Sequence, residues 1–248
     1  MFSVVICGPL ECLTSDSTEY FLSQNIEVIV SVWEPKNADQ EKYLEDIRKL
    51  NPHKLLVHPF INVEDYDNQQ NIYYHGYLWL KGVQETSGQY VVKSRSSCVF
   101  RNWSKIATTM INNPKKIATS SIFFRNGFFY PFFYCPSDFL VVCERNLMLN
   151  SLNILLEDLK DKNYYDEKVP AETKICESFL KSLGIKKSFD QEEAKNIMTQ
   201  TYTILNVNDL DCEMLWGRWK IRPYIFRKID HKVYKSISNI EYYQTNRF

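Results

Sequence analysis

Four short apolar runs in the first hundred residues constrain this chain more than any other feature. Ser3–Cys7 (SVVIC), Glu27–Trp33 (EVIVSVW), Lys54–His58 (KLLVH) and Tyr90–Arg95 (YVVKSR) have the length and β-branched content of buried strands. The segments between them have helical character. Ser15 or Asp16 can cap a helix running to about Gln24. Asp39–Leu50 sets Tyr43, Leu44, Ile47 and Leu50 on one face, and Asn71–Glu85 reads as a third helix. Strands alternating with helices at these lengths give βαβ units and a largely parallel sheet. Ligands of such sheets bind outside the carboxyl ends of the strands. Here those ends carry Gly8-Pro9, Trp33-Glu34 and Lys93 to Ser97.

Beyond residue 100 the pattern changes. Ile117–Phe124 and Phe139–Val142 read as further strands separated by an aromatic loop, and Leu147–Leu159, Glu172–Leu183 and Asp190–Leu205 as helices. Trp219–Ile229 alternates enough for a strand, with Pro223 confining it to an edge or a bend. There is no internal repeat and no compositional break, so a single domain with a helical C-terminal elaboration is the simplest expectation for these 248 residues.

Several classes are excluded. The 7 glycines form neither a GxGxxG nor a GxxxxGK[ST] phosphate loop. The 30 basic and 30 acidic residues cancel, which removes the electrostatic signature of a nucleic-acid binder. No apolar run reaches the roughly 20 residues that cross a bilayer, and the greasiest stretch, Ile122–Phe133, is broken by Arg125, Asn126 and Pro131. The N-terminus lacks a basic region followed by an apolar core and a cleavage site, and reads as a core strand. The 7 cysteines are odd in number and form no CxxC pair, so reduced core thiols in a cytoplasmic protein are expected, without a zinc site.

Individual residues admit two readings each. Lys93 and Arg95 are suited to phosphate oxygens, or simply carry the strand into solvent. Gly8-Pro9 either lets backbone approach a ligand or makes an ordinary turn. Asp138, between the aromatic loop and an apolar strand, is either a carboxylate whose pKa desolvation raises or part of a Ser-Asp turn. Glu172, behind Pro170, is either a second site carboxylate or a helix first-turn anion. The aromatic cluster Phe123–Tyr134 is a stacking surface or core.

The order of these strand-end motifs resembles the WavE-type lipopolysaccharide-synthesis glycosyltransferases. The matching residues are Cys7-Gly8-Pro9, then Ser31-Val32-Trp33-Glu34, loosely Asn68–Gly82, then Tyr90, Lys93, Arg95 and Ser96, then Pro136-Ser137-Asp138-Phe139 and Pro170-Ala171-Glu172, over roughly residues 1 to 185. The resemblance implies a GT-A-like, Rossmann-type, mostly parallel sheet flanked by helices. Residues 1–100 would form the nucleotide-binding half and 101–248 the acceptor half. It implies a hexosyl- or pentosyltransferase moving a sugar from a nucleotide-diphosphate donor to a glycan hydroxyl, by inversion. Donor contacts would come from Gly8, Pro9, Trp33, Glu34, His75, Lys93, Arg95 and Ser97, with Trp33 stacking on the base or packing in the core. Asp138 would serve as the base. Where the family has an aspartate that helps hold Mg²⁺ or Mn²⁺ against the diphosphate, this chain has Ser97, a hydroxyl in place of a charged oxygen ligand. His231 is placed where such enzymes sometimes put a late metal-binding histidine. The departure leaves three expectations open: a metal held elsewhere, a diphosphate neutralised by Lys93 and Arg95, or a catalytically silent nucleotide- or glycan-binding scaffold.

Overall fold

The computed structural model describes residues 1–64, 66–68, 71–122, 134–161, 169–216 and 219–221. Its elements run β1 (Phe2–Gly8), α1 (Cys12–Ser23), β2 (Glu27–Trp33), α2 (Ala38–Leu50), β3 (Lys54–His58), α3 (Ile72–Gln84), β4 (Tyr90–Arg95), β5 (Cys98–Phe100), α4 (Trp103–Asn112), β6 (Ile117–Ser120), β7 (Leu140–Glu144), α5 (Arg145–Asp158), α6 (Ala171–Ser182), α7 (Gln191–Thr201), β8 (Tyr202–Leu205), β9 (Cys212–Trp216) and β10 (Trp219–Ile221).

Seven strands form the main sheet in the order β3-β2-β1-β4-β7-β6-β8. Strands β1, β2, β3 and β4 are mutually parallel, and β6 and β8 run with them. Strand β7 is reversed and pairs antiparallel with both β4 and β6. The expected α/β class with a mostly parallel sheet is therefore what the chain adopts. A second, three-stranded antiparallel sheet has the order β10-β9-β5.

Successive residues of a strand face opposite sides, and parallel strands of this kind are covered on both. On one side Val5, Cys7, Ile29, Val91, Val141 and Cys143 pack under α3, α5 and α6 through Trp79, Leu152, Leu155 and Phe179. On the other, Val4, Ile6, Val28, Val30, Val92 and Val142 meet Phe21 of α1, Leu44 and Ile47 of α2, and Ile106 and Met110 of α4. Right-handed crossovers explain the division. The connections through α1 and α2 step outward from β1 to β3, and the connection through α3 must return past β1 to β4, so α3 lies on the opposite face. The strand order consequently reverses between β1 and β4. Gly82 brings α3 close to the sheet, since a Cβ there would meet Val5 Cγ1 at 2.3 Å.

Several expectations are corrected. Helix α1 starts at Cys12 behind Glu11, which makes a reciprocal capping box with Thr14, so neither Ser15 nor Asp16 is the cap. The expected helix over Asp190–Leu205 ends at Thr201, where the β-favouring run Tyr-Thr-Ile-Leu becomes β8 and pairs with β6. Helix α4, capped by the Asn102 side chain on the Lys105 amide, and strands β5 and β9 were not anticipated. Of Trp219–Ile229, only β10 falls within the described residues.

Candidate functional site

The reversal of strand order between β1 and β4 creates a crevice at their carboxyl ends. Register places Cys7 opposite Arg95, so Gly8 and Ser96 follow at the rim. The Ser96 amide continues the ladder by donating to the Cys7 carbonyl at 3.0 Å, and Thr14 Oγ1 donates to the Ser96 carbonyl at 3.3 Å. Gly8 has φ +142°, and a Cβ there would come within 2.3 Å of Ser96 Oγ. Backbone conformation and the Ser96 hydroxyl thus account for this glycine. The Ser96–Ser97 turn hands the chain to β5, and the Ser97 carbonyl accepts from Leu215.

The reversal of β7 decides what faces that rim. Because β7 runs against β4, the residues entering it lie beside the residues leaving β4. The Arg95 amide donates to the Phe139 carbonyl at 3.0 Å, and Asp138 arrives next to the Lys93 and Arg95 side chains. Lys93 is fully buried, with its ammonium bonded to the Asp138 carbonyl, 3.8 Å from Asp138 Oδ2 and 4.9 Å from the Trp79 ring centroid. Arg95 Nη1 lies 3.8 Å from Asp138 Oδ1, and its guanidinium stacks 4.5 Å from the Phe139 ring centroid. His75, from α3, brings Nδ1 to 3.2 Å from Asp138 Oδ2. An ionised carboxylate only accepts, so Nδ1 carries the proton.

The charge states follow from these neighbours. Burial by itself would raise the Asp138 pKa. Arg95, Lys93 and His75 together outweigh it and hold the carboxyl well below the usual range. The upward shift expected from desolvation alone is therefore reversed. Burial lowers His75 well below the ordinary imidazole value, and Lys93 adds to this. Burial also lowers Lys93, against the raising influence of Asp138. Asp138 raises Arg95. Two cations, one anion and a neutral imidazole leave one net positive charge. Arg95 is the member of the four that reaches solvent, with 35% of its side chain accessible against 13% or less for the others.

The remaining expected site residues are distributed as follows. Trp33 is 6% exposed, stacks on Phe60 and Tyr77 at centroid distances of 5.1 and 5.7 Å, and meets Tyr74 edge-on. Its ring is taken up in protein packing, which corrects the reading of Trp33 as a surface for a base. Glu34 is exposed at the end of β2, and its carboxylate accepts from the Phe60 amide at 3.4 Å. Pro9 is exposed just beyond Gly8. Ser97 is half-buried, with Oγ 3.9 Å from Cys98 Sγ. Glu172 sits in the first turn of α6 and acts on Arg95 through its field, more weakly than Asp138 does. Of the aromatic cluster Phe123–Tyr134, only Tyr134 is described. It is buried, and its hydroxyl bridges the Ser188 amide and carbonyl. His231 lies outside the described residues.

Among the described residues, the turn after β4 and Asp138 do not fit a divalent cation. The turn after β4 offers the hydroxyls of Ser96 and Ser97, and the Ser96 Oγ is buried against Gly8. The adjacent carboxylate, Asp138, already faces three nitrogens within 3.8 Å. Among the described residues, no three His, Cys, Asp or Glu side chains are grouped to hold a metal ion. Mg²⁺ and Mn²⁺ favour charged oxygen ligands, and a net positive cluster repels them.

Comparison with known proteins gives structural likenesses at low sequence identity. HddC from Yersinia pseudotuberculosis superposes with a TM-score of 0.39 and 8% identity over 60% of this chain and 79% of its own. Glucosyl-3-phosphoglycerate synthase from Mycobacterium tuberculosis, solved in complex with Mn²⁺, UDP and phosphoglyceric acid, gives 0.41 and 15% over 76% and 80%. TarS from S. aureus gives 0.40 and 13% over 83% of this chain and 35% of its own. No protein-family model matches the chain, and no curated protein matches it. Strand order and site together define an α/β protein with a cationic crevice at the switch point of its sheet. No helix among the described residues is long and apolar enough to cross a membrane.

Proposed function

We propose that this chain is a glycosyltransferase that moves a sugar from a nucleoside-diphosphate donor to a glycan hydroxyl, with inversion, in polysaccharide or glycoprotein glycan synthesis. One observation carries the reading: the net positive His75–Lys93–Arg95–Asp138 cluster opens to solvent through Arg95 at the β1/β4 switch point. The leaving group of such a reaction is a nucleoside diphosphate, and fixed positive charge stabilises it as it departs. Gly8, Pro9 and Ser97 border the donor on this reading, and Glu34, one strand over, is within its reach as a ribose or base acceptor.

Asp138 is assigned the placing of Lys93 and Arg95. A carboxylate held so far below its ordinary range is a weak proton acceptor. Glu172, whose field reaches Arg95 from the first turn of α6, takes the acceptor proton on this reading.

A catalytically silent binder of nucleotide or glycan is the alternative, favoured by the engagement of Asp138 with three nitrogens. The test is release of nucleoside diphosphate from a panel of nucleotide sugars in the presence of mixed glycan acceptors. Turnover with one donor, abolished in Glu172→Gln, supports the transferase. Donor binding without turnover establishes the silent binder. Full activity in Glu172→Gln removes that residue from the reaction.

A further inference from the structure

We infer that the switch-point crevice grips a diphosphate without a divalent cation, through the Arg95 guanidinium held in place by Asp138 and backed by the buried Lys93 ammonium. This rests on the proposed donor reading and goes beyond it by naming what neutralises the phosphate charge.

The donor set is the first argument. A divalent ion bridging a diphosphate needs free anionic oxygens from the protein. The turn following β4 supplies two neutral hydroxyls, Asp138 Oδ2 faces His75 Nδ1 and Lys93 Nζ at 3.2 and 3.8 Å, and Oδ1, which makes no hydrogen bond, is held by charge alone 3.8 Å from Arg95 Nη1. A metal taking Asp138 would leave Lys93 buried without its counter-ion, a state far costlier than the ion pair it replaces.

Geometry is the second. Lys93 and Arg95 stand two residues apart on one strand and so share a face. The outer of the two is braced on both sides, with Phe139 stacked against its guanidinium and Asp138 across from Nη1. A guanidinium so held keeps further N–H groups for a ligand, and its planar fork matches two phosphate oxygens at once. Held this way, it loses little side-chain freedom on binding.

Charge is the third. The four-residue cluster carries one net positive charge, and the Lys93 ammonium acts from a site that water does not reach, where screening is weak. The opposing groups that face Arg95 are Asp138, already counted, the thiols of Cys7 and Cys98, and Glu172. Burial pushes the Cys7 thiol up to about 11, so it stays neutral near pH 7. Glu172 is then the one further anion acting on Arg95 among these groups.

The experiment is calorimetric titration of the full chain with inorganic pyrophosphate and with UDP, GDP, CDP, ADP and dTDP. Each is run in excess EDTA and in MnCl₂, with Arg95→Gln and Arg95→Lys alongside the wild type. The expected result is one nucleoside diphosphate and pyrophosphate binding with affinities in EDTA and Mn²⁺ within about twofold of each other. Arg95→Gln should weaken both about 10- to 100-fold, as removal of charge-assisted hydrogen bonds does. Arg95→Lys should fall between, because it keeps the charge and loses the fork. Should Arg95→Gln fold poorly, the salt dependence of pyrophosphate binding to the wild type in EDTA replaces it, with weakening at higher salt expected. Binding that requires Mn²⁺, or that is unchanged in both Arg95 variants, overturns the metal-free grip and leaves the donor reading standing. Pyrophosphate binding in EDTA with no nucleoside diphosphate bound overturns the donor reading and leaves the grip standing. Binding of no ligand under either condition overturns both.

Discussion

Replacing Asp138 by Asn isolates the interaction on which this site depends. Asp138 Oδ2 and Lys93 Nζ are 3.8 Å apart, and both side chains are almost wholly out of water. At an effective dielectric near 20, their attraction is about 4 kcal/mol. Breaking one partner of a buried pair typically costs about 3–5 kcal/mol. The amide still presents one oxygen, and the main-chain carbonyl of residue 138 still accepts from Lys93. The lower end, about 3 kcal/mol, is therefore expected, against a total of about 5–15 kcal/mol for a folded domain. Urea unfolding at several pH values reads this directly. In the wild type the folded-state pKa of Asp138 lies below the ordinary value of 3.8, so its stabilisation is complete above that value and drains away as pH falls through the folded pKa. The variant lacks this acid limb. Lys93 has a folded pKa below the ordinary value of 10.5, so the unfolded chain holds a proton the folded one has released, and stability rises with pH across that interval. Asp138 is what raises the Lys93 value, so in Asp138→Asn the rise begins at lower pH and is larger. A loss below about 1 kcal/mol, the size of an exposed ion pair, with parallel pH profiles for the two proteins, would refute the buried ion pair as a structural keystone.

Other outcomes follow from the same contacts. Lys93→Met combined with Asp138→Asn is expected to cost less than the sum of the single changes, by a coupling of about 0.5–3 kcal/mol in a double-mutant cycle of urea midpoints. Gly8→Ala should lose about 1–3 kcal/mol, because φ +142° is strained for alanine and its Cβ meets Ser96 Oγ at 2.3 Å; adding Ser96→Ala removes the clash and not the strain, so recovery is partial. Trp33→Ala should cost about 3–5 kcal/mol in thermal or urea unfolding, while Trp33→Phe leaves pyrophosphate affinity unchanged. Native-state titration with a thiol reagent should label Cys12 first, since the other six thiols are buried and burial raises Cys7, Cys143 and Cys176.

Much of the first half was legible from residues alone. The runs at Glu27–Trp33, Lys54–His58 and Tyr90–Arg95 are strands with those bounds, and Asp39–Leu50 falls within α2. The same reading placed Gly8 and Arg95 at the carboxyl ends of adjacent strands, where β1 and β4 put them. It did not pair His75 with Asp138, because residues 63 positions apart meet only when α3 packs over the entrance to β7. Tyr202–Leu205 does not separate from the preceding helix in the sequence, because four residues are too few to show a period of their own against a helical neighbour.

The sequence by itself determined the α/β class. The seven-residue apolar runs of β1 and β2 must be covered on both faces, and the helices between the strands are long enough to do so. Only the tertiary structure decided the direction of β7. A short apolar strand reads the same forwards and backwards, so its pattern carries no sense of direction; that is set by how the connection from β6 returns. The reversal brings Asp138 beside Lys93 and Arg95, and turns two strand-end cations into a braced guanidinium over a buried ion pair.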